Sequence, residues 1–267
     1  MVANDTGTKM SGKALISVTV ISALVIAVLS DCLYSQEAEP KSNKPDFVSL
    51  FDGKTLDGWI GDEPYWSVQG GAILGQITEE TKIKANHFLI YQGEIPADFE
   101  LIAEYRVSAR GNSGINYRSE VVPDVDFHAL RGYQCDLDGQ NRYTGSNYEE
   151  RKRTTLASVG QSVVIPNVEG SGDLKLVQGN RWTAGTSQSK LPEAEELAHK
   201  LLPDQWHEVR IVADGKTLEH YINGQLMSKV VDDDAANRRS QGQLGVQVHV
   251  GPPMTIEYRN LRVRALR

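Results

Sequence analysis

The alternation of apolar and polar residues over short segments constrains the fold of this chain more than any other feature. It is clearest at residues 113–121 and 131–138, where Tyr133, Cys135 and Leu137 are separated by single polar residues. Side chains point alternately to the two faces of a β-strand, so each segment has one apolar and one polar face. The pattern therefore predicts two neighbouring strands of a sheet that is buried on one side.

The polar face of these strands is unusual in its chemistry. Solvated strand faces are usually rich in Thr, Lys or Ser, whereas this one carries carboxylates, amides and an arginine. Two further alternating segments, 98–108 and 245–251, would extend the same face if all four strands lie in one sheet. A solvated surface is the alternative, because polar outward faces are common. We expect a sugar-binding cleft lined by Glu104, Asn116, Arg118, Glu120, Gln134, Asp136, Gln247 and His249, with Tyr105, Tyr117, Cys135 and Val248 packed behind it.

Short segments of this kind recur along most of the chain. Asn223 and Gly224 separate two of them, as in a tight hairpin turn. Residues 191–202 differ, because Pro192 is followed by apolar residues at helical spacing. The sequence thus predicts an all-β sandwich of two antiparallel sheets, with one short helix near 191–202.

A charged segment without strand alternation, residues 143–153, follows the polar strand that ends at Asp138. We interpret it as a loop at the mouth of the polar face, with a solvated charge cluster as the alternative. Its tyrosines and carboxylates would then reach a bound sugar. The predicted substrate-binding residues are Glu104, Asn116, Gln134, Asp138, Tyr143, Tyr148, Glu150 and Gln247.

The beginning of the chain has the layout of a secretory signal. Lys9 and Lys13 precede an uncharged apolar run at 14–29, and polar residues follow it. The run is shorter than the ~20 residues usual for a membrane-spanning helix, so an uncleaved anchor is the alternative. We assign residues 1–30 to a signal peptide or N-terminal anchor, 31–46 to a polar linker and 47–267 to the folded domain.

Charge and composition argue against several partners and cofactors. Lys and Arg total 28 and Asp and Glu total 35, and after residue 30 no basic run suggests nucleic acid or an anionic membrane. A membrane is expected only through the N-terminal segment. Asp232, Asp233 and Asp234 raise the question of Ca²⁺, but they lack the spaced oxygen ligands and the glycine of a calcium loop. We therefore expect a solvated turn there and no cofactor, with a Ca²⁺ site as the alternative.

A series of short motifs in fixed order resembles the 3-keto-disaccharide hydrolase domain family. The motifs lie at residues 50–59, 98–101, 111–115 with Arg118, 132–134, 206–209, 223–224 and 247–249. The resemblance implies a concanavalin A-like jelly roll with a carbohydrate site on its concave face. It also implies an enzyme that cleaves the glycosidic bond of 3-keto-glycosides, by hydrolysis or by elimination followed by hydration.

One strand departs from the family pattern. Many members carry Glu, then Gln, then Asp after the Gly-Tyr pair, whereas this chain has Gln134, Asp136 and Asp138. Gln134 cannot act as a general base, so the roles of these positions are not carried over.

Three functional classes fit a sugar site of this composition. The first is an enzyme that acts on 3-keto-glycosides. The second is an ordinary glycosidase with two carboxylates, for example Glu120 with Asp136, which would need carboxyl groups about 5 to 5.5 Å or about 6.5 to 9.5 Å apart. The third is a non-catalytic carbohydrate-binding module. The predicted face is rich in charge and poor in tryptophan, which favours an enzyme.

For the first class the sequence suggests a role for each catalytic group. His249 is the expected base because its ordinary pKa near 6.5 lies close to working pH, with Glu120 or Asp136 as substitutes. Arg118 is the expected electrostatic partner of the developing oxyanion because it cannot lose its charge. The acid is assigned to Tyr148 or Glu150 of the predicted mouth loop.

We expect the full-length chain to be exported. A C-terminally tagged protein should be recovered outside the cytosol, because the apolar run at 14–29 directs translocation. Cell fractionation measures this directly. The control is Val25→Asp, which places a charge in the apolar run and should leave the protein in the cytosol. Accumulation of the unaltered chain in the cytosol with residues 1–30 intact would contradict the prediction.

Overall fold

The computed structural model describes residues 45–125, 128–169 and 174–267. The predicted signal peptide or anchor, at 1–30, lies outside the described residues. Within the described ranges no helix has both the length and the apolar character that a membrane crossing requires.

These residues form short β-strands and one short helix, as the alternation predicts. The bounds in chain order are β1 (Val48–Ser49), β2 (Trp59–Ile60), β3 (Trp66–Gln69), β4 (Ala72–Ile77), β5 (His87–Tyr91), β6 (Phe99–Val107), β7 (Asn112–Val121), β8 (Leu130–Asp138), β9 (Asn147–Glu150), β10 (Thr154–Ala157), β11 (Gln161–Ile165), β12 (Val177–Gln178), β13 (Arg181–Trp182), β14 (Thr186–Lys190), α1 (Pro192–Ala198), β15 (His207–Asp214), β16 (Thr217–Ile222), β17 (Gln225–Asp232), β18 (Gln243–Val248) and β19 (Met254–Ala265). The helix starts at the proline that the sequence marks and is shorter than the predicted 191–202 segment.

The strands build two large sheets. The first, here called the back sheet, has the order β14-β11-β17-β16-β15-β6-β19-β4-β3, with β1 paired to β19. The second, here called the site sheet, has the order β12-β13-β10-β9-β8-β7-β18-β5-β2. Pairing is antiparallel except between β11 and β17 and between β10 and β13. The chain is therefore an all-β sandwich of the jelly-roll kind, and this prediction is confirmed.

The apolar faces of the two sheets meet in one core. Tyr105, Tyr117, Cys135 and Val248 are each at most 1% exposed and belong to the same apolar cluster, as the alternation predicts. Removing a large apolar side chain from water contributes ~1.5–3 kcal/mol, so a core of this size dominates the stability of the fold. It also fixes which face of the site sheet is left for polar residues.

A β-bulge interrupts the alternation in β7. Tyr117 pairs with Tyr133 and Glu120 pairs with Arg131, so the two residues between them on β7 oppose one residue on β8. The first of these, Arg118, has a φ of 46°, in the left-handed region. The bulge turns the Arg118 side chain away from the face that an unbroken strand would give it.

Arg118 links the two sheets instead of facing a cleft. Its side chain is 2% exposed and donates hydrogen bonds to the carbonyls of Ala97 at 2.7 Å and Gly215 at 2.8 Å. It also lies 3.2 Å from a carboxylate oxygen of Asp98. Ala97 and Asp98 directly precede β6, and Gly215 lies in the turn between β15 and β16. The prediction that Arg118 faces the site is therefore wrong.

The aspartate run at the end of β17 is not the solvated turn expected from the sequence. Asp232 and Asp234 are fully buried and lie 2.6 Å and 3.4 Å from the guanidinium of Arg153. Arg153 is itself buried and also pairs with buried Glu149. Only Asp233 is at the surface, 2.7 Å from Lys216. The guanidinium of Arg153 is therefore a cation that lies beside both buried carboxylates.

Removing the charge of Arg153 should destabilise the fold strongly. Arg153→Met leaves three buried carboxylates without their cation, and breaking a buried ion pair from one side costs ~3–5 kcal/mol. Lys216→Met is the control, because it removes a lysine from an exposed pair worth at most ~1 kcal/mol. Urea unfolding measures both, and equal stabilities for the two variants would contradict the prediction.

Candidate functional site

The outward face of the site sheet carries a cavity of about 150 Å³, here called the small cavity. Strand register brings its residues together, since Gln134 on β8 pairs with Asn116 on β7 and with Tyr148 on β9. The cavity is polar on nearly every side. It is lined by Asn86, Asn112, Gln134, Asp136, Tyr143, Tyr148, Glu150, Thr155, Asn180 and His249.

Six of the residues predicted from the sequence meet in this cavity. Alternation along β8 places Gln134 and Asp136 there, and alternation along β9 places Tyr148 and Glu150 there. Residues 147–150 are thus a strand rather than part of a loop. The remaining two predicted residues, Tyr143 and His249, lie in the segments that follow β8 and β18.

Amide side chains orient the two carboxyl groups. Gln134 donates from Nε2 to Asp136 Oδ1 at 2.7 Å and accepts at Oε1 from Gln247 Nε2 at 3.0 Å. Glu150 accepts from Asn86 Nδ2 at 3.3 Å and from Gln247 Nε2 at 3.4 Å. Gln247 is fully buried and does not line the cavity, so its predicted role in binding is indirect.

Burial makes the cavity favour protonated carboxyl groups. The pKa of Asp136 is raised well above 3.8, mainly by burial and further by the negative charges of Glu150 and Asp138. The pKa of Glu150 is also raised by burial, against the opposing effect of Arg151. Burial, together with the negative charges of Glu150 and Asp136, raises the pKa of Tyr148 to about 12. Burial thus favours the protonated form of both carboxyl groups relative to the same groups in water.

His249 has the opposite character. Its Nδ1 lies 2.6 Å from the backbone carbonyl of Val250, and a carbonyl only accepts, so Nδ1 carries the proton. Nε2 then carries a free lone pair. Burial lowers the pKa of His249 below 6.5, which keeps the imidazole neutral at physiological pH. The arrangement presents a base beside two carboxylic acids.

Asp138 acts on the cavity through the chain that follows it. Its carboxylate accepts backbone N–H bonds from Tyr143 at 2.8 Å, Thr144 at 3.1 Å and Arg142 at 3.3 Å. These bonds hold Tyr143, which is 48% exposed, against the cavity. The carboxylate of Asp138 positions a loop, whereas the sequence alone predicts a direct contact with the substrate.

Three other predicted residues lie away from the cavity, and their prediction as parts of one cleft is wrong. Glu104 is on β6 of the back sheet and pairs with Arg259 at 2.6 Å. Glu120 follows the bulge of β7 and pairs with Arg131 at 2.7 Å, and Arg118 is locked within the bulge. Alternation places a residue on a face of its own strand but does not say which sheet the strand joins or where a bulge reverses the pattern.

Asn116 is on the predicted face but lies beneath the cavity rather than in its wall. It is fully buried, and neither polar atom of its side chain has a hydrogen-bond partner. The neighbouring position on β7, Gly114, leaves space for the site. A Cβ atom there would lie 2.6 Å from Gln134 Cγ, so a larger residue would push the Gln134 amide out of place.

Four residues that line the small cavity are not predicted from the sequence. Asn112 pairs with Asp138 and lies two and four positions before Gly114 and Asn116, so strand alternation could have identified it. Asn86 directly precedes β5, Asn180 lies between β12 and β13, and Thr155 is in the four-residue strand β10. Alternation carries little signal at such positions. Among residues 45–125, 128–169 and 174–267, no group of three or more His, Cys, Asp or Glu side chains could hold a metal ion.

A polar cavity with a neutral imidazole and two carboxyl groups of raised pKa can carry out acid–base chemistry on a bound ligand. Comparison with known proteins makes this specific. Residues 46–264 match the 3-keto-alpha-glucoside-1,2-lyase-like domain, and the chain belongs to this family. Its membership identifies a glycoside hydrolase-like enzyme and confirms the resemblance found in the sequence motifs.

Individual relatives are distant. The chain is 23% identical over 238 residues to the 3-keto-disaccharide hydrolase of Bacteroides thetaiotaomicron. The match covers 82% of this chain and 78% of that protein. Two crystal structures from Parabacteroides distasonis, described provisionally as glycosyl hydrolases, superpose with TM-scores of 0.52. They are 16% and 15% identical, and the match covers 83% of this chain and 94% and 100% of theirs. These structures show the same fold.

Replacing Asp136 by Asn should stabilise the protein at neutral pH. The folded state raises the pKa of this carboxyl, so ionised Asp136 opposes folding. The penalty is absent below the ordinary pKa of 3.8, grows as the pH rises toward the raised value and is complete above it. Urea unfolding should therefore show Asp136→Asn to be more stable at pH 7, with the difference shrinking toward pH 4.

The control for this measurement is Asp57→Asn at an exposed turn position, which should change stability by less than about 0.5 kcal/mol at both pH values. A loss of stability at pH 7 in Asp136→Asn would show that the hydrogen bond from Gln134 outweighs the desolvation of the carboxylate.

Proposed function

We propose that this enzyme cleaves the glycosidic bond of 3-keto-glycosides, including 3-keto-disaccharides. The observation that carries the proposal is the neutral imidazole of His249 in one small cavity with the carboxyl groups of Asp136 and Glu150. A base and an acid are then within reach of one sugar ring. The name of the matching family and that of the Bacteroides relative both refer to 3-keto-sugars, and they support this substrate class.

The ketone is what makes such a bond easy to break. A carbonyl at C3 acidifies the hydrogen on C2, so a base can remove that proton and leave an enolate. The enolate expels the oxygen substituent at C1, which takes a proton from an acid, and an enone with a C1–C2 double bond remains. Water then adds a hydroxyl at C1 and a hydrogen at C2. Direct hydrolysis of the same bond gives the same net products, and either route needs a base and an acid in one site.

Each role falls to a group with a suitable protonation state. His249 Nε2 receives the proton, because Nδ1 is held by Val250 and the lowered pKa keeps the ring neutral. Asp136 or Glu150 protonates the leaving oxygen, because burial raises the pKa of both carboxyl groups.

Stabilisation of the enolate oxygen must come from a group other than Arg118. Tyr148 is suited to it, since a phenol with a pKa of about 12 stays protonated and can donate a hydrogen bond to developing negative charge. Its hydroxyl lies 3.2 Å from Asn180 Oδ1 in the free protein, and this bond would give way to the substrate. The site then contains a base, an acid and an oxyanion donor without Arg118.

An ordinary glycosidase is the second candidate. Asp136 and Glu150 line one cavity and their charges interact, as the two carboxyls of such an enzyme must. That mechanism needs one of the pair to be ionised as a nucleophile or a base. The raised pKa values of both carboxyls and the presence of His249 favour the 3-keto-glycoside instead.

We also propose that the enzyme acts outside the cytoplasm, either released or held by its N-terminal segment. The support is the apolar run at residues 14–29 and the polar linker after it. Glycosides taken up from the surroundings would meet such an enzyme before they reach the cell interior.

The direct test compares 4-nitrophenyl 3-keto-glucosides with their unoxidised parents, in both anomeric forms. Wild-type protein should release nitrophenol from a keto substrate and not from its parent. His249→Ala should lower kcat by about 100-fold or more, because a positioned base is lost, and should change KM less. His207→Ala is the matched control, since this histidine is bound to the carbonyl of Leu202 on the back sheet side of the fold.

The pH profile provides a second readout of the same assignment. Activity should fall as acid protonates His249, and because burial lowers the pKa of His249, the midpoint should lie below pH 6.5. Full turnover of a keto substrate by His249→Ala would exclude this histidine as the base. Cleavage of unoxidised glucosides at the same rate would favour the two-carboxylate glycosidase.

A further inference from the structure

A second and larger cavity adjoins the small one. It has a volume of about 340 Å³, here called the large cavity, and shares Asn112, Tyr143 and His249 with the small cavity. A ligand whose reacting bond lies at His249 therefore has space on both sides of that bond. One cavity suits the ring that reacts, and the other suits whatever is attached to it.

Two arginines without partners line the large cavity. Arg110 and Arg142 are the only arginines in the described residues whose guanidinium groups make no hydrogen bond or ion pair with the protein. The Arg142 guanidinium lies 5.4 Å from the centre of the Tyr143 ring, which positions it by a cation–π contact. The other described arginines are bonded to carboxylates or carbonyls or, for Arg181, to the hydroxyl of Ser158, so this pair stands out in a chain of net charge -7.

The acidic group in this cavity does not neutralise the arginines. Asp138 is 3% exposed, and its oxygens accept the backbone N–H groups of residues 142–144 rather than either guanidinium. His249 is neutral in its bound tautomer. The large cavity thus presents two free cationic forks beside the reacting position, whereas the small cavity carries carboxyl groups.

We propose that the large cavity is a subsite for a leaving group that bears a carboxylate. Its substrates would be 3-keto-glycosides of a uronic acid or of another acidic aglycone, bound by Arg110 and Arg142 with the leaving group lying along Tyr143. The arginine fork matches a carboxylate with two parallel hydrogen bonds, which a neutral sugar cannot offer. The place of the leaving group rests on the proposed function, whereas recognition of the anion rests on the cavity alone.

A matched pair of substrates tests the proposal through turnover. The 3-keto-glucosides of 4-hydroxybenzoate and 4-hydroxybenzamide have nearly the same shape, and the carboxamide is the better leaving group. Wild-type kcat/KM should nevertheless favour the carboxylate by about tenfold or more, because each charge-assisted bond is strong. The preference should weaken as salt is raised, since both arginines are exposed.

The double variant Arg110→Gln/Arg142→Gln should lose this preference. The readout is the ratio between the two substrates, so a general loss of activity does not imitate the effect. Arg267→Gln is the control, because it removes one positive charge from a pair with Asp214 far from the cavities and should keep the ratio. Each single variant should lose part of the ratio, and circular dichroism checks that all of them are folded.

Binding separates this inference from the proposed function. Calorimetry with the unoxidised glucosides of the same two phenols needs no turnover, and the carboxylate should bind about tenfold tighter than the carboxamide to the wild type and equally to the double variant. Equal binding to the wild type would overturn the subsite. Turnover of both keto substrates without a preference would overturn it as well and leave the proposed function intact. Discrimination in binding without turnover of any keto substrate would support the subsite and reject the proposed function.

Discussion

The rest of the structure depends on the two-faced packing of β8 between β7 and β9. One face of this strand carries Tyr133, Cys135 and Leu137 into the core, and the other carries Gln134 and Asp136 to the cavity. The apolar face cannot turn outward without exposing the core, so the polar face is fixed in direction. Three neighbouring strands with this constraint set the positions of the side chains of the site.

The treatment of charge differs between the site and the rest of the molecule. In the interior, the guanidinium groups of Arg118 and Arg153 are buried and bound by carbonyls or carboxylates. In the small cavity, the neutral amide of Gln134 bonds to Asp136. Glu150 accepts hydrogen bonds from the amides of Gln247 and Asn86 and lies 3.8 Å from Arg151. Arg151 opposes the rise in the pKa of Glu150, whereas the amide of Gln134 orients Asp136 with a smaller electrostatic effect. The choice of partner therefore decides whether a buried carboxyl is a structural anion or an acid that can give up a proton.

The burial of Asp136 without a cationic partner lowers the stability of the fold at neutral pH. Relative to the protonated form, the carboxylate of Asp136 is less stable in the cavity than in water, and the raised pKa of this group reflects that difference. The buried ion pairs of Arg153 and the core between the sheets offset it elsewhere in the fold. Arg110 and Arg142 belong to a third class, because they are neither buried nor paired and lie where a ligand can reach them. Buried paired arginines, buried carboxyl groups and exposed unpaired arginines thus characterise the framework, the reacting cavity and the proposed anion subsite, respectively.

Much of the fold was readable from the sequence because strand alternation is a local property. It identified the apolar faces of β6, β7, β8 and β18, the sandwich architecture and the helix that begins at Pro192. It also identified the polar side chains of β8, and the residue types alone predicted a base at His249, which lines the same cavity. These conclusions needed only the direction of successive side chains along a strand and the ordinary chemistry of imidazole and carboxyl groups.

Tertiary structure decided which of these side chains meet. Glu104 has the alternation expected of a site residue, yet β6 lies in the other sheet, and sheet membership depends on pairing between distant segments. The predicted position of Arg118 is wrong because one extra residue in β7 reverses the direction of the Arg118 side chain. The bulge is defined only by the pairing with the opposing strand. Asp232 and Asp234 seemed from sequence to be solvated because their partner, Arg153, lies about eighty positions earlier in the chain. Side-chain direction is therefore set by the local sequence, whereas the identity of the neighbour across a strand or a core is set by contacts that only the folded chain makes.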